Sequence, residues 1–188
     1  MTVKGVDISA YQPEFDPSGW DFVFIKATEG RSWKSSVRHK QATAARDAGA
    51  VVGFYHFLWP GNIAAQAAYF VEHAPLRPGD VLACDWEDNL EGTAASCAEK
   101  DAFLAEVKRL RPEHRVVLYC NRDFWFHRDT TSGCADGLWI ADLTTAGRPR
   151  IRHPWTFHQY SHAGNLDRNV AAFPTRAALR AWATELTA

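Results

Sequence analysis

Short segments rich in β-branched and aromatic residues recur along the chain, each with the length of a β-strand and turn residues near its ends. Between several of them, the apolar positions change to the spacing of an amphipathic helix. This alternation predicts parallel βαβ units. Eight segments are predicted as strands: Val3 to Ile8, Phe22 to Ala27, Val51 to Phe57, Val81 to Trp86, Arg115 to Cys120, Leu138 to Ala141, Trp155 to Tyr160 and Leu166 to Val170.

Four helices are predicted between and after these strands. The strongest begins at Ser96, which forms a capping-box pair with Glu99, and ends at Arg111 before a proline. Weaker helical spacing predicts the other three, from Ser36 to Ala48, from Ile63 to His73 and from Thr175 to Leu186, where Leu179, Trp182 and Leu186 share a face.

Eight strands in a chain of 188 residues indicate a closed barrel smaller than the usual eightfold one. The predicted fold class is α/β, an irregular TIM-like β/α barrel. From Leu138 to Val170, turn residues replace helical periodicity, so helices should be missing around the last strands, which we expect to be hairpin-like. Residues 1–188 are expected to form a single domain.

Charge and hydropathy argue against several classes of function. The net charge is −1, so no overall field attracts nucleic acid or an anionic membrane. The apolar runs are far shorter than the roughly 18 residues of a membrane span. The first residues lead into a strand without the apolar core of a signal peptide, so we expect synthesis in the cytoplasm. We expect a monomer that neither binds nucleic acid nor inserts into a membrane.

Four cysteines, Cys84, Cys97, Cys120 and Cys134, allow two disulfides in any of three connectivities, or free thiols. They form no CxxC pair, and the histidines form no HExxH motif, so we predict no metal site and no cofactor. No GxSxG elbow is present to support a nucleophilic serine.

Asp85 and Glu87 lie at the end of an apolar predicted strand, Val81 to Trp86. Side chains alternate along a strand, so both acids should face one side while Cys84 and Trp86 face the other. Two residues of strand rise separate their backbones by roughly 6.5 Å, so one carboxyl should titrate high. We assign the raised pKa to Glu87. A protonated acid beside an ionised one is the arrangement that cleaves glycosidic bonds.

An isolated pair of this kind is also compatible with the solvated start of a loop. Asp7 and Asp167, near the ends of other predicted strands, favour a ring of acids at the carboxyl end of a barrel, where active sites lie. Aromatic residues make up 13% of the chain, and several lie near strand ends, where their rings could pack on sugars or simply fill the core.

A series of motifs resembles glycoside hydrolase family 25, which includes phage endolysins and bacterial autolysins. The resemblance covers nearly the whole chain and depends on the order and spacing of the motifs. They are Gly5-Val6-Asp7-Ile8-Ser9 with Tyr11-Gln12, Phe24 to Gly30, Gly53-Phe54-Tyr55-His56-Phe57, Asp85-Trp86-Glu87, Leu118-Tyr119, Leu138 to Ala141, Gln159-Tyr160-Ser161 and Asp167-Arg168-Asn169.

The resemblance implies a muramidase that cleaves the β-1,4 bond between N-acetylmuramic acid and N-acetylglucosamine in bacterial peptidoglycan. It implies that Glu87 is the general acid and Asp85 its partner, with Asp7 and Asp167 completing the acidic floor. The role of Asp85 stays open, because the N-acetyl group of the substrate could itself be the nucleophile. The resemblance also implies four groove residues that bind substrate: Tyr55, Tyr119, Trp139 and Gln159.

The chain departs from the family pattern after Gly30, where the loop containing Ser35 differs, and at His158, where Trp is common. We expect no separate wall-binding domain. Two alternatives remain: a hydrolase of another N-acetylated polysaccharide such as chitin, and a non-catalytic glycan-binding barrel. The apparent absence of a signal peptide favours a phage endolysin that reaches the cell wall after release.

Overall fold

The first strand of the chain pairs with both the second strand and the last, which closes the β-sheet into a barrel. The computed structural model describes residues 3–185, and within them nine strands form one sheet. They are β1 (Val3–Ile8), β2 (Phe22–Glu29), β3 (Trp33–Lys34), β4 (Val51–Phe57), β5 (Val81–Asp85), β6 (Arg115–Asn121), β7 (Gly137–Ala141), β8 (Phe157–His162) and β9 (Asp167–Ala171).

Eight of these strands make up the barrel, in the order β1, β2, β4, β5, β6, β7, β8 and β9, and β9 pairs back to β1. The predicted irregular β/α barrel is confirmed. The pairs from β1–β2 through β7–β8 are parallel, whereas β9 is antiparallel to both neighbours. The prediction of hairpins from Leu138 onward is therefore right for β8–β9 and wrong for β7–β8, which are parallel despite a connection without a helix.

The helices of the described residues are α1 (Arg38–Asp47), α2 (Ile63–His73), α3 (Cys97–Leu110), α4 (Arg122–His127) and α5 (Arg176–Thr184). The predicted capping box of α3 is confirmed, because the side chains of Ser96 and Glu99 each accept a hydrogen bond from the other's backbone N–H. Leu186, predicted at the end of the last helix, lies outside the described residues. No helix in the described part of the chain is long and apolar enough to cross a membrane.

Aromatic rings fill the inside of the barrel. Phe24 stacks on Trp139, with ring centres 4.3 Å apart, and lies edge-on to Phe157 at 5.0 Å. Gly53 makes room for this cluster, because a Cβ atom there would lie 2.2 Å from the ring of Phe24. Helix α5 buries Leu179 against the same core. The amino-terminal end of the barrel is thus closed, and only the carboxyl ends of the strands are left for a site.

A second apolar layer separates the barrel from helices α1 to α4. Cys84 and Cys120 are fully buried in this layer, on the side of their strands predicted for them. Cys97 and Cys134 are partly buried, and all four thiols are free. Burial raises the pKa of the Cys84 thiol well above its usual range, so this sulfur is unreactive at neutral pH.

Candidate active site

A cavity of about 710 Å³ opens at the carboxyl ends of the barrel strands. Active sites of β/α barrels lie at this end, because the strand ends and the loops that follow them converge there. The structure brings all eight predicted site residues together on the wall of this one cavity: Asp7, Tyr55, Asp85, Glu87, Tyr119, Trp139, Gln159 and Asp167.

The strand alternation that places Asp85 and Glu87 in the cavity is fixed by the residue between them. Trp86 points away from the cavity into the outer apolar layer, where its indole N–H donates to the carbonyl of Ala95 at 2.7 Å. Its backbone N–H donates to the carbonyl of Tyr119 at 2.9 Å, although β5 itself ends at Asp85. The extended conformation therefore continues to Glu87, and both carboxyl groups face the cavity.

The carboxyl groups of Asp85 and Glu87 line the same cavity, and each affects the pKa of the other. Burial raises the pKa of both, and the negative charge of Glu87 raises that of Asp85 further. Asp85 is only 5% exposed, and its buried Oδ1 receives no hydrogen bond from a donor group in residues 3–185. Asp85 lies deeper than Glu87, and the pKa values of both are raised, so the expectation that Glu87 is the more strongly raised member stays a prediction.

Asp7 lies across the floor of the cavity and accepts two side-chain hydrogen bonds. The amide nitrogens of Gln159 and Asn169 donate to its Oδ2 at 2.8 and 2.7 Å. Burial and the charge of Asp167 outweigh these bonds and raise the pKa of Asp7 to about 7. Asn169 is held in turn by Trp139, whose indole N–H donates to it at 2.8 Å. Asn169 is thus a site residue that the sequence analysis left unassigned, although it belongs to a recognised motif.

Tyr55 and Tyr119 complete the inner wall. The Tyr119 hydroxyl donates to Oε1 of Gln159 at 3.1 Å, which leaves the Gln159 amide group free to donate to Asp7. Burial, reinforced by the surrounding carboxylates, raises the pKa of both phenols well above the usual value, so they stay protonated. Trp139 is only 2% exposed and forms the floor under these groups.

Lys26 brings a positive charge to the acidic cavity. Its Nζ lies 2.7 Å from Oε2 of Glu29 and 4.8 Å from the centre of the Phe57 ring. Its charge lowers the pKa values of Asp85 and Glu87 and so opposes part of the effect of burial. The alternation along β2 places Lys26 inward after Phe22 and Phe24, a signal that the sequence analysis did not use to assign it a role.

Asp167 is partly open, with 32% of its side chain exposed. Its Oδ1 lies 2.5 Å from Nδ1 of His162, and this hydrogen bond, together with the charge of Asp167, raises the pKa of that imidazole. Two other polar residues at strand ends do not line the cavity. His56 faces the outer layer, and Asp142 pairs with Arg150 at 2.5 Å.

Comparison with known proteins agrees with this arrangement. The family model described as Glycosyl hydrolases family 25 matches residues 6–168. An N,O-diacetylmuramidase of Chalaropsis sp is 35% identical over 66% of this chain and 68% of its own length. An N,O-diacetylmuramidase of Arthroderma benhamiae is 33% identical over 66% of this chain, but the match spans only 60% of that protein.

Solved structures extend the similarity to almost the whole chain. A family GH25 lysozyme from Aspergillus fumigatus superposes with a TM-score of 0.86 at 25% identity, covering 98% of this chain and all of that one (100%). A muramidase from Acremonium alcalophilum gives a TM-score of 0.80 at 28% identity, covering 97% and 99% of the two chains. Since the family model covers most of the sequence, including the four predicted acids of the site, the chain belongs to glycosyl hydrolases family 25.

Proposed function

We propose that the chain is a lysozyme-type glycoside hydrolase that cleaves the β-1,4 bond between N-acetylmuramic acid and N-acetylglucosamine in peptidoglycan. The observation that carries this proposal is the placement of Asp85 and Glu87, whose pKa values are both raised, side by side on the wall of an acidic and aromatic cavity. Two neighbouring buried carboxyls cannot both ionise easily, so the pair retains a proton at neutral pH. That proton is what the leaving oxygen of a glycoside requires.

Glu87 is the member of the pair suited to deliver the proton. It is partly exposed in the cavity, whereas Asp85 is 5% exposed beneath it. When the proton lies on Glu87, Asp85 is the ionised partner and stabilises positive charge that develops at the anomeric carbon. After the first bond breaks, Glu87 is a carboxylate and can take a proton from the incoming water.

A retaining or an inverting pair acts from opposite faces of one sugar. Asp85 and Glu87 instead extend from the same side of one strand end, into one cavity. This favours attack by the N-acetyl oxygen of the substrate itself, with Asp85 accepting a hydrogen bond from the acetamido N–H. Tyr55, Tyr119 and the amide of Gln159 then hold the sugar above Trp139, and Asp7 and Asp167 supply negative charge around the reacting ring.

Release of new reducing ends tests this function against the two alternatives. Purified protein should release them from peptidoglycan, with muramic acid at the new end, and should release few from chitin. Equal or greater release from chitin would favour a hydrolase of another N-acetylated polymer. Binding to either polymer without release would favour a glycan-binding barrel and contradict the proposal.

The biological setting stays a prediction. We propose that the protein acts as a monomer on the bacterial wall from outside the membrane, as a phage endolysin does. Sedimentation of the purified chain tests whether it is a monomer. Cell lysis tests where it acts: lysis by protein added from outside is compared with lysis by protein expressed inside the cells, with and without a membrane-permeabilising partner.

A further inference from the structure

A second cavity, of about 470 Å³, adjoins the active site and shares Glu29 and Trp33 with it. We propose that this cavity binds the carboxylate-bearing peptide that peptidoglycan carries on its muramic acid residues. The inference rests on the proposed function, since it assigns part of the same substrate to a second site. The glycan strand would lie in the main cavity, and its peptide branch would reach past Trp33.

The wall of the second cavity is held rigidly by a buried glutamine. The Gln66 side chain, 1% exposed, accepts a hydrogen bond from the backbone N–H of Trp59 at 3.0 Å. Its amide group donates to the carbonyls of Trp59 and Gly61 at 2.7 and 2.6 Å. His56 contacts the same Gln66 oxygen at 3.1 Å. The loop after β4 is therefore preorganised, and a ligand bound there loses less free energy to loop ordering.

The opposite wall, formed by residues 30–33, is also fixed. The Tyr69 hydroxyl donates to the carbonyl of Ser32 at 2.8 Å, and the backbone N–H of Gly30 donates to the carbonyl of Phe57 at 3.2 Å. Gly30 has a positive φ of 53° and lies against the Trp59 ring, to which an added Cβ would be 3.6 Å away. The two walls therefore contact each other at the base of the cavity.

The charge of the second cavity is positive. Its acid, Glu29, is neutralised by Lys26 at 2.7 Å and also accepts a hydrogen bond from the Trp59 indole at 3.0 Å. Arg31 lines the cavity, is exposed, and forms no ion pair within residues 3–185. A ligand that enters thus meets one uncompensated guanidinium, the group that pairs best with a carboxylate.

Two indoles accompany this cation. Trp33, 40% exposed, and Trp59 both line the cavity. Flat aromatic faces pack well on peptide planes and on short aliphatic side chains. A neutral sugar would use the indoles but not Arg31, whereas a peptide with free carboxylates uses both. The main cavity, dominated by acids, would repel the same carboxylates, so the peptide is drawn to the second cavity.

The test uses soluble, uncrosslinked peptidoglycan chains whose peptides carry either free carboxylates or the amides made from them by carbodiimide coupling with ammonia. The wild-type kcat/KM should be higher on the free-carboxylate substrate. Arg31→Gln should lower kcat/KM on that substrate roughly three- to tenfold, as expected for a partly exposed ion pair, and leave the amidated substrate unchanged. Arg31→Lys should keep most of the preference. Arg180→Gln, an exposed change on α5 at the far end of the barrel, is the matched control and should alter neither value.

An Arg31→Gln variant that retains the wild-type preference, or that loses activity equally on both substrates, would overturn the inference while leaving peptidoglycan hydrolysis intact. Failure of the wild-type protein to cleave either substrate would instead overturn the proposed function, and the peptide site with it.

Discussion

The side-chain amide of Asn169 donates a 2.7 Å hydrogen bond to the carboxylate of Asp7, which joins β9 to β1 where the barrel closes. The bond lowers the pKa of Asp7 against the larger effects of burial and of Asp167. Since Asn169 is fully buried, its amide has no solvent to replace this partner. The Asn169–Asp7 hydrogen bond therefore both joins the first and last strands of the barrel and affects the protonation of an acid in the site.

We expect Asn169→Asp to lower both the stability of the fold and the activity of the site. The change replaces a donor by an acceptor of nearly the same shape, leaves Asp7 facing another acid, and should cost about 1–3 kcal/mol of stability. Activity at neutral pH should fall at least about tenfold. Asn165→Asp makes the same chemical change on an exposed turn and serves as the control. Thermal unfolding and kcat for both variants are the measurements, and an Asn169→Asp protein with normal stability would show that the contact is unimportant.

Asp7 should make the protein less stable as the pH rises. Its folded pKa of about 7 lies above the unfolded value of 3.8, so between these values the folded state binds more protons than the unfolded state, and stability falls with increasing pH. Asp7→Asn removes this dependence. The variant should melt higher than the wild type at pH 8, lose the difference near pH 4, and be inactive. Equal melting temperatures at pH 8 would contradict the raised pKa.

Gly53 is expected to tolerate no side chain while Phe24 keeps its place. Gly53→Ala puts a Cβ 2.2 Å from the Phe24 ring, which stacks beneath Trp139. Overpacking of this kind costs about 1–3 kcal/mol. Adding Phe24→Leu should recover part of the loss, since the smaller side chain leaves room for the methyl group. Urea unfolding of the two single variants and the double variant measures the coupling, and strictly additive losses would argue against the contact.

The sequence predicted the shared face of Asp85 and Glu87 because strand alternation is a local property. It did not predict their relative burial, which depends on how the outer layer anchors Trp86. The two-residue strand β3 and the six-residue helix α4 were missed, since both are too short for a periodic signal.

Other features depend on tertiary structure alone. The parallel pairing of β7 with β8 follows a connection without helical periodicity, so no local pattern distinguishes it from a hairpin. Asn169 and Lys26 lie on inward positions of their strands, but Asp7, which accepts from Asn169, and Asp85, whose pKa Lys26 lowers, come from distant segments. Motif order alone indicated the family, whereas the hydrogen bonds inside the cavity required the fold.

The pH dependence of kcat tests whether Asp85 and Glu87 titrate together. The alkaline limb marks loss of the proton that the pair retains, and the charge of Glu87 helps to raise the pKa of Asp85. Asp85→Asn leaves Glu87 to titrate without this partner, so the limb should move toward acid by about one pH unit or more, in a slower enzyme. Asp88→Asn, which changes a more exposed acid of the following loop, should move it far less. A limb that stays in place would mean that burial alone raises the pKa of Glu87.

Turnover of peptidoglycan by Glu87→Gln tests the central assignment most directly. The amide keeps the shape of the side chain but cannot protonate the leaving oxygen, and general acid catalysis contributes roughly 10²- to 10⁴-fold. Glu91→Gln, an exposed change in the loop after the pair, is the control and should keep wild-type activity. Reducing ends released per minute, with thermal unfolding to show that both variants are folded, are the measurements. A folded Glu87→Gln protein should retain less than about a hundredth of wild-type turnover, and retention of more than about a tenth would contradict the role of Glu87 as general acid.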